Sequence, residues 1–108
     1  MTLNYYPRPH SSTSHCTIYL RISIGRGCQF RLQTDVKLES MKQWNDSSKR
    51  VRARAGIPHE QLNSHLDGFK SHMLAEILRM KASGAELQQE PLNRLAKAYF
   101  YPERHQVS

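Results

Sequence analysis

The chain has 108 residues, a net charge of +7 and a mean hydropathy of −0.70, which is enough for one domain with one modest core. No run approaches the ~20 apolar residues of a membrane span, and Met1–His10 lacks the apolar region of a signal peptide. We therefore expect a soluble cytoplasmic protein. Residues 1–56 carry ten Lys and Arg against three Asp and Glu, and such a localised excess of positive charge indicates a polyanionic partner.

Residues 1–15 are predicted to be a mostly flexible segment, because they are polar and contain two prolines and a Ser-Ser-Thr-Ser run. Within them, Thr2–Tyr6 has the composition of an edge strand that Pro7 would end. The residues leave open whether this strand forms. We place the folded domain at residues 16–84, and a linker or the start of a further domain at residues 85–108.

Two stretches of strict alternation flank Gly25–Gly27 and predict a β-hairpin. Every second residue of Cys16–Ile24 is apolar, and Cys28–Val36 continues the pattern with Thr34 as the one polar member of its apolar side. A three-residue loop gathers these residues on one face of the sheet. The expected pairs are Ile24 with Cys28, Ile22 with Phe30, Leu20 with Leu32, Ile18 with Thr34 and Cys16 with Val36.

The segment after the hairpin is predicted to wrap under the sheet, with Trp44 closing the core and a turn at residues 45–48. Arg50–Ala55 then alternates arginine with small apolar residues, which is typical of another edge strand. The residues leave open whether this stretch joins the sheet or forms a loop at its edge.

Helical periodicity begins at His59 and continues to about Ala82, with Pro58 suited to the first helical position and Gly84 to the C-cap. A second, shorter helix is predicted to begin near Pro91. We therefore expect an α+β fold in which a small antiparallel sheet of three to four strands packs on one long helix. The apolar stripe of the long helix comprises Leu62, Leu66, Phe69, Met73, Ile77 and Met80, widened by Leu74 and Leu78.

The sheet face opposite the core is predicted to be basic. Arg21 lies opposite Arg31, and such a like-charge pair costs a few tenths to ~1 kcal/mol unless an anion covers it. Arginine binds phosphate and guanine edges, glutamine can read adenine, and hydroxyls donate to either kind of group. Three strands ~4.8 Å apart span about 10 Å, which fits the ~12 Å major groove of double-stranded DNA. The candidate DNA-binding residues are Tyr19, Arg21, Ser23, Arg26, Gln29, Arg31, Gln33, Arg50, Arg52 and Arg54.

Other kinds of site find little support in the sequence. His10, His15, Cys16 and Cys28 do not have the paired spacing of zinc ligands. No nucleophile–base–acid arrangement and no phosphate-binding glycine loop is present. We therefore expect no metal, no cofactor, no catalytic residue and no small-molecule substrate.

The hairpin sequence resembles the arm-type DNA-binding domain of tyrosine recombinases, the phage-integrase family, and in particular the integrases of Bacteroides-type mobile elements. The resemblance covers roughly residues 3–82. It implies a bacterial protein whose sheet enters the major groove at arm sites, and whose partners are double-stranded DNA and other recombinase protomers. The stretches that carry it are Cys16–Ile24, the glycine-containing turn, Gln29–Thr34, Asp35-Val36-Lys37, Trp44-Asn45, Lys49-Arg50-Val51 and Leu62–Asp67.

The chain departs from that family in two respects. Ser11–Ser14 stands where the family has a basic linker, so phosphate contacts from that loop are in doubt. The chain is also too short for the core-binding and catalytic domains, so we expect a non-catalytic domain of a longer recombinase or the product of a truncated gene. Pro91–Ser108 would then begin the linker to the core-binding domain.

Two other functions remain as alternatives. A protein-interaction module could dock a partner, such as a second protomer, on the acidic-leaning long helix or on an exposed sheet edge. RNA binding ranks third, because the exposed face is expected to lack the clustered aromatic residues that stack on unpaired bases.

Overall fold

The computed structural model describes residues 1–25, 27–53 and 58–101. β1, β2 and β3 form one antiparallel sheet in that order, and β4 pairs with β5 in a separate two-stranded sheet. The predicted α+β class is confirmed. The elements are β1 (Thr2–Pro9), β2 (Cys16–Ser23), β3 (Gln29–Leu38), a short 3-10 helix (Met41–Gln43), β4 (Trp44–Asn45), β5 (Arg50–Val51), α1 (His59–Ala82) and α2 (Gln89–Phe100).

The β2–β3 hairpin has the predicted register on the side of its turn. Arg21 faces Arg31, and Tyr19 faces Gln33. Alternate residues of both strands therefore face the core, as the period-two pattern predicts. The fully buried side chains of this pair include Cys16, Ile18, Leu20, Ile22 and Leu32.

The hairpin turn is the three-residue loop that the sequence predicts. The Ile24 N–H donates to the Cys28 carbonyl oxygen at 2.8 Å and so closes the loop. Gly25 and Gly27 have φ angles of 68° and 71°, in the region where a residue without a Cβ is favoured. Arg26, between them, lies outside the described residues.

Farther from the turn, the register shifts because β3 has two extra residues. Cys16 faces Leu38, so the expected pair of Cys16 with Val36 is wrong, and Ile18 lies at the irregularity without a register partner on β3. The Thr34 hydroxyl stabilises this bulge, since it donates to the Ile18 carbonyl oxygen at 2.7 Å and accepts from the Val36 N–H at 3.1 Å. A side chain thus replaces part of the missing strand ladder.

β1 is longer than the Thr2–Tyr6 strand considered above, and Pro7 does not end it. β1 is an outer strand, where a proline removes no ladder hydrogen bond if its nitrogen points away from the neighbour. Leu3 and Tyr5 are 7% and 5% exposed and belong to the core. The Tyr5 hydroxyl donates to the Leu66 carbonyl oxygen, and burial raises the pKa of that hydroxyl. β1 is therefore part of the packed domain rather than of a loose segment.

The second sheet corrects the interpretation of the Arg50–Ala55 stretch. Its first two residues pair with β4, so no strand from the described part of this stretch, residues 50–53, joins the three-stranded sheet. Val51 and Trp44, which face each other, are 3% and 4% exposed. Trp44 therefore closes the core as predicted, and Val51 is the apolar residue that brings this stretch against it.

The ends of α1 lie close to the predicted ones. Pro58 precedes the helix as its N-cap instead of occupying the first helical position. At the other end, the Gly84 N–H donates to the Lys81 carbonyl and the Ala85 N–H to the Met80 carbonyl. This is the Schellman arrangement, and the Gly84 φ angle of 82° explains why glycine stands there.

The apolar stripe of α1 is narrower than expected. Leu74 and Leu78 are 38% and 52% exposed, so the prediction that they widen the buried stripe is wrong. Within the described residues, no other element covers their side of the helix. Leu66, Phe69, Met73 and Ile77 are the buried residues of the stripe. Leu62 and Met80, which the sequence also predicts, are partly buried and pack against the same core.

α2 lies along the outer edge of β3, where we expected a linker or the start of a further domain. Leu92 and Ala96 are buried in the same core as the sheet. The Gln89 side chain accepts from the Arg31 N–H at 3.2 Å and donates to the Arg31 carbonyl at 2.8 Å. The predicted second helix is therefore present as part of this domain. No helix in the described residues is long and apolar enough to cross a membrane.

Candidate nucleic-acid interface

The sheet face opposite the core carries polar side chains in four rows that cross β1, β2 and β3. Residues in register on neighbouring strands point to the same side. The rows contain four cationic side chains and no Asp or Glu. We call this surface the open face. Its rows are Thr2, Ser23 and Gln29; Asn4, Arg21 and Arg31; Tyr6, Tyr19 and Gln33; and Arg8, Thr17 and Lys37.

Arg21 and Arg31 face each other as predicted, and their side chains have different neighbours. The Arg21 guanidinium lies 4.6 Å from the centre of the Tyr6 ring, on the β1 side. Arg31 lines a depression with Gln89 on the opposite side. A cation–π contact at an exposed site contributes about 0.5–1 kcal/mol, which offsets the cost of the like-charge pair. Neither guanidinium forms an ion pair with a described carboxylate.

The centre of the open face holds two tyrosines. The Tyr6 and Tyr19 rings lie 5.8 Å apart, so the expectation that the face lacks clustered aromatic residues is wrong. The Arg8 guanidinium lies 5.4 Å from the centre of the Tyr19 ring, as Arg21 lies over Tyr6. The two rings therefore orient the guanidinium groups of Arg8 and Arg21. The ring faces that these arginines cover are not available for stacking with unpaired bases.

The sequence interpretation missed part of this face. Leu3 and Tyr5 alternate with polar residues in a period of two, which indicates β1, but a strand that ends at Pro7 leaves Arg8 out. Lys37 continues the alternation of β3 one residue past Val36, where the predicted strand ends. The residues of the open face that were not among the candidates are Thr2, Asn4, Tyr6, Arg8, Thr17 and Lys37.

Asp35 is the one carboxylate of β3. Alternation places it on the same side as Gln33, next to the cations of the open face. In the structure, Asp35 Oδ1 lies 2.7 Å from Nε2 of His65 on α1. The carboxylate thus has its hydrogen-bond partner on α1 and forms no ion pair with a cation of the open face.

The four arginines predicted outside the hairpin strands do not add to the described open face. Arg50 Nη2 lies 3.1 Å from Asp67 Oδ2 on α1, and Arg52 Nε donates to the Trp44 carbonyl at 3.2 Å. Arg26 and Arg54 lie outside the described residues. The structure therefore brings six of the ten predicted site residues together on the open face: Tyr19, Arg21, Ser23, Gln29, Arg31 and Gln33.

A pocket of about 410 Å³ lies between the open face and α2. The sequence interpretation did not include α2 in the site, because residues 85–108 were assigned to a linker or a further domain. Its polar lining comes from both elements. Those residues are Tyr19, Arg31, Gln33 and Thr34 from the sheet, Asn93 and Lys97 from α2, and Tyr101 just after it.

The histidines and cysteines of residues 1–25, 27–53 and 58–101 show no metal-binding arrangement. No group of three or more His, Cys, Asp or Glu that could hold a metal ion occurs in the part of the chain that the structure describes. Cys16 is buried and Cys28 exposed, and both are free. Burial raises the pKa of the Cys16 thiol, so this thiol stays protonated and unreactive. His10 Nε2 is hydrogen-bonded to Thr17 Oγ1 at 2.9 Å.

Comparisons of the chain with protein-family models, with curated proteins and with solved structures found no match. A function for the open face therefore has to come from its own residues, their geometry and their charge.

Proposed function

We propose that this chain is a non-catalytic domain that binds double-stranded DNA through the open face. The observation that carries the proposal is the charge of this face: four cations and no carboxylate occupy its four rows. Arg21 and Arg31 stand beside glutamine, tyrosine and serine side chains. This combination can bind phosphates and also read base edges, which is what recognition of a duplex requires.

The shape of the surface supports a duplex partner. Three strands span about 10 Å, while the major groove is ~12 Å wide and also admits β-ribbons. The sequence alone suggested that an Arg50-containing strand would give this width, and β1 gives it instead. The rows therefore present their cations on a strip that fits one groove.

We further propose that the DNA is an arm-type site and that the parent protein is a tyrosine recombinase of a bacterial mobile element, acting in the cytoplasm. The support is the order and spacing of the motifs between residues 3 and 82, together with a small sheet backed by a helix, which is the fold that the resemblance implies. Other protomers of the recombinase would then occupy neighbouring sites on the same DNA.

The dependence of duplex binding on salt tests the proposal. Each phosphate contact contributes about −0.9 to the slope of log K against log salt, so the four cations of the open face together contribute at most about −3.6. From these contacts we expect the affinity to fall up to about a hundredfold between ~50 and ~200 mM salt. Fluorescence anisotropy with a labelled duplex would measure it, with a single strand of equal length as the control. Absence of duplex binding at ~50 mM salt would refute the proposal.

A protein-interaction module is the second candidate, and exposed leucines on α1 favour it. Leu74 and Leu78 are four residues apart, lie on one side of the helix and are largely uncovered. Sedimentation velocity should show a monomer without duplex if DNA binding is the function. A DNA-independent dimer that Leu74→Gln/Leu78→Gln dissociates would favour the second candidate instead.

A further inference from the structure

The pocket between the open face and α2 has the chemistry of an anion site. Arg31 and Lys97 bring two positive charges to its lining from different elements, and no Asp or Glu is among the residues that line it. Within the described residues, neither cation forms an ion pair. The rest of the polar lining comes from Tyr19, Gln33, Thr34, Asn93 and Tyr101.

A hydrogen-bond network determines which atom of Asn93 is available to a ligand. Gln89 is held by the backbone N–H and carbonyl of Arg31, and its Nε2 also donates to Asn93 Oδ1 at 2.8 Å. The oxygen of Asn93 is therefore occupied, and its Nδ2 group remains as a donor. A site that offers an amide N–H donor and two cations, and that contains no carboxylate, suits a phosphate oxygen.

The rigidity of α2 supports the same conclusion. Leu92 and Ala96 anchor the helix in the core, and Asn93 and Lys97 each follow one of these anchors, four residues apart on one helix face. The backbone that carries Asn93 and Lys97 is therefore held in place beside Arg31. A ligand does not have to order the helix when it binds.

The dimensions of a duplex indicate where α2 must lie. An α-helix with its side chains is about 10–12 Å across, and the sheet already takes about 10 Å of a groove that is ~12 Å wide. When the sheet occupies the groove, α2 has no room inside it. The helix must then lie over the phosphate strand that borders the groove on the β3 side.

We propose that the pocket binds one phosphate of the DNA backbone, with Lys97 and the Asn93 amide as its contacts. This inference rests on the proposed duplex binding and adds α2 to the interface. A contact to the backbone positions the sheet in the groove and carries no sequence information of its own.

The test compares Lys97→Gln with Lys81→Gln, the same substitution at an exposed lysine near the end of α1. Loss of one phosphate contact should make the slope of log K against log salt less steep by about 0.9 and weaken binding about tenfold near 0.1 M salt. The loss should be similar for every duplex sequence, because no base is read. Lys81→Gln should bind as the parent does.

Three further measurements identify the ligand and the second contact. Asn93→Asp retains an acceptor for Gln89 but places a carboxylate in the pocket, so it should also weaken binding. A duplex series with single neutral methylphosphonates should contain a position that weakens binding by the parent and leaves binding by Lys97→Gln unaffected.

Inorganic phosphate, added at constant ionic strength, should not displace the duplex at millimolar concentration. Displacement would indicate a site for free phosphate and overturn the assignment to the backbone.

The outcomes separate this inference from the proposed function. If the parent binds no duplex, the proposed function fails, and this inference fails with it. If the parent binds with the expected salt dependence and Lys97→Gln has the same slope as the parent, the inference about α2 alone is wrong.

Discussion

Replacing both Arg21 and Arg31 with alanine is expected to reduce affinity for a duplex at least about thirtyfold, because each arginine contact to a base or phosphate contributes about 1–3 kcal/mol. These two side chains occupy the central region of the open face and have no ion-pair partner among the described residues. Anisotropy titrations at fixed salt would measure the loss.

The fold of this double variant should remain intact. Removal of the like-charge pair relieves up to ~1 kcal/mol, while loss of the contact between Arg21 and Tyr6 costs about 0.5–1 kcal/mol. Urea unfolding should therefore give a free energy within about 1 kcal/mol of the parent. This distinguishes a binding defect from unfolding.

Arg79→Ala/Arg94→Ala is the matched control, since it removes the same charge from two exposed arginines that already pair with Glu76 and Glu90. We expect it to retain most of the affinity. Equal loss in both double variants would mean that net charge alone drives binding, and a normal affinity for the Arg21 and Arg31 variant would contradict the open-face model.

Thr34→Val is expected to lower the free energy of unfolding by about 2–4 kcal/mol, a large part of the ~5–15 kcal/mol that stabilises a typical domain. Valine has nearly the same shape but no hydroxyl. The substitution leaves the Ile18 carbonyl and the Val36 N–H without the partner that the bulge provides, and each buried unpaired group costs about 1–3 kcal/mol. Chemical denaturation monitored by circular dichroism would give the value.

Thr17→Val is a suitable control for this prediction. Thr17 is as buried as Thr34, at 3% exposure, but its hydroxyl bonds the side chain of His10, which can turn to water instead. We expect a cost of about 1 kcal/mol or less. If the two variants lose equal stability, the Thr34 hydroxyl has no special role in the bulge.

The bulge also shows what the sequence could not reveal. A shift of two residues keeps every side chain on its original face, so Val36 and Leu38 stay buried and the alternation of β3 continues unbroken. The hydrophobic pattern determines on which side of the sheet a residue lies, but it does not determine which residue of the neighbouring strand is its partner. The turn determined the register near Arg21 and Arg31, and this is why that pair could be predicted, while the pairing of Lys37 with Thr17 could not.

β1 and the Arg50 stretch were misjudged for different physical reasons. Pro7 prevents a central strand but not an outer one, and nothing in the sequence alone showed that β1 has a neighbour on one side only. Arginine alternating with small residues fits a strand, yet alanine buries too little apolar area to hold one in a sheet. Among the described residues of this stretch, 50–53, Val51 alone is well buried, and it packs with Trp44 instead.

The prolines of β1 and the Gln89 contact also bear on how copies of this domain behave at high concentration. Outer strands usually present unpaired N–H and carbonyl groups on which another chain can add a strand. Here Pro7 and Pro9 remove two donors from one edge, and Gln89 occupies both backbone groups of Arg31 on the other. Neither edge offers a full ladder, so the domain should resist edge-to-edge aggregation while its open face stays available.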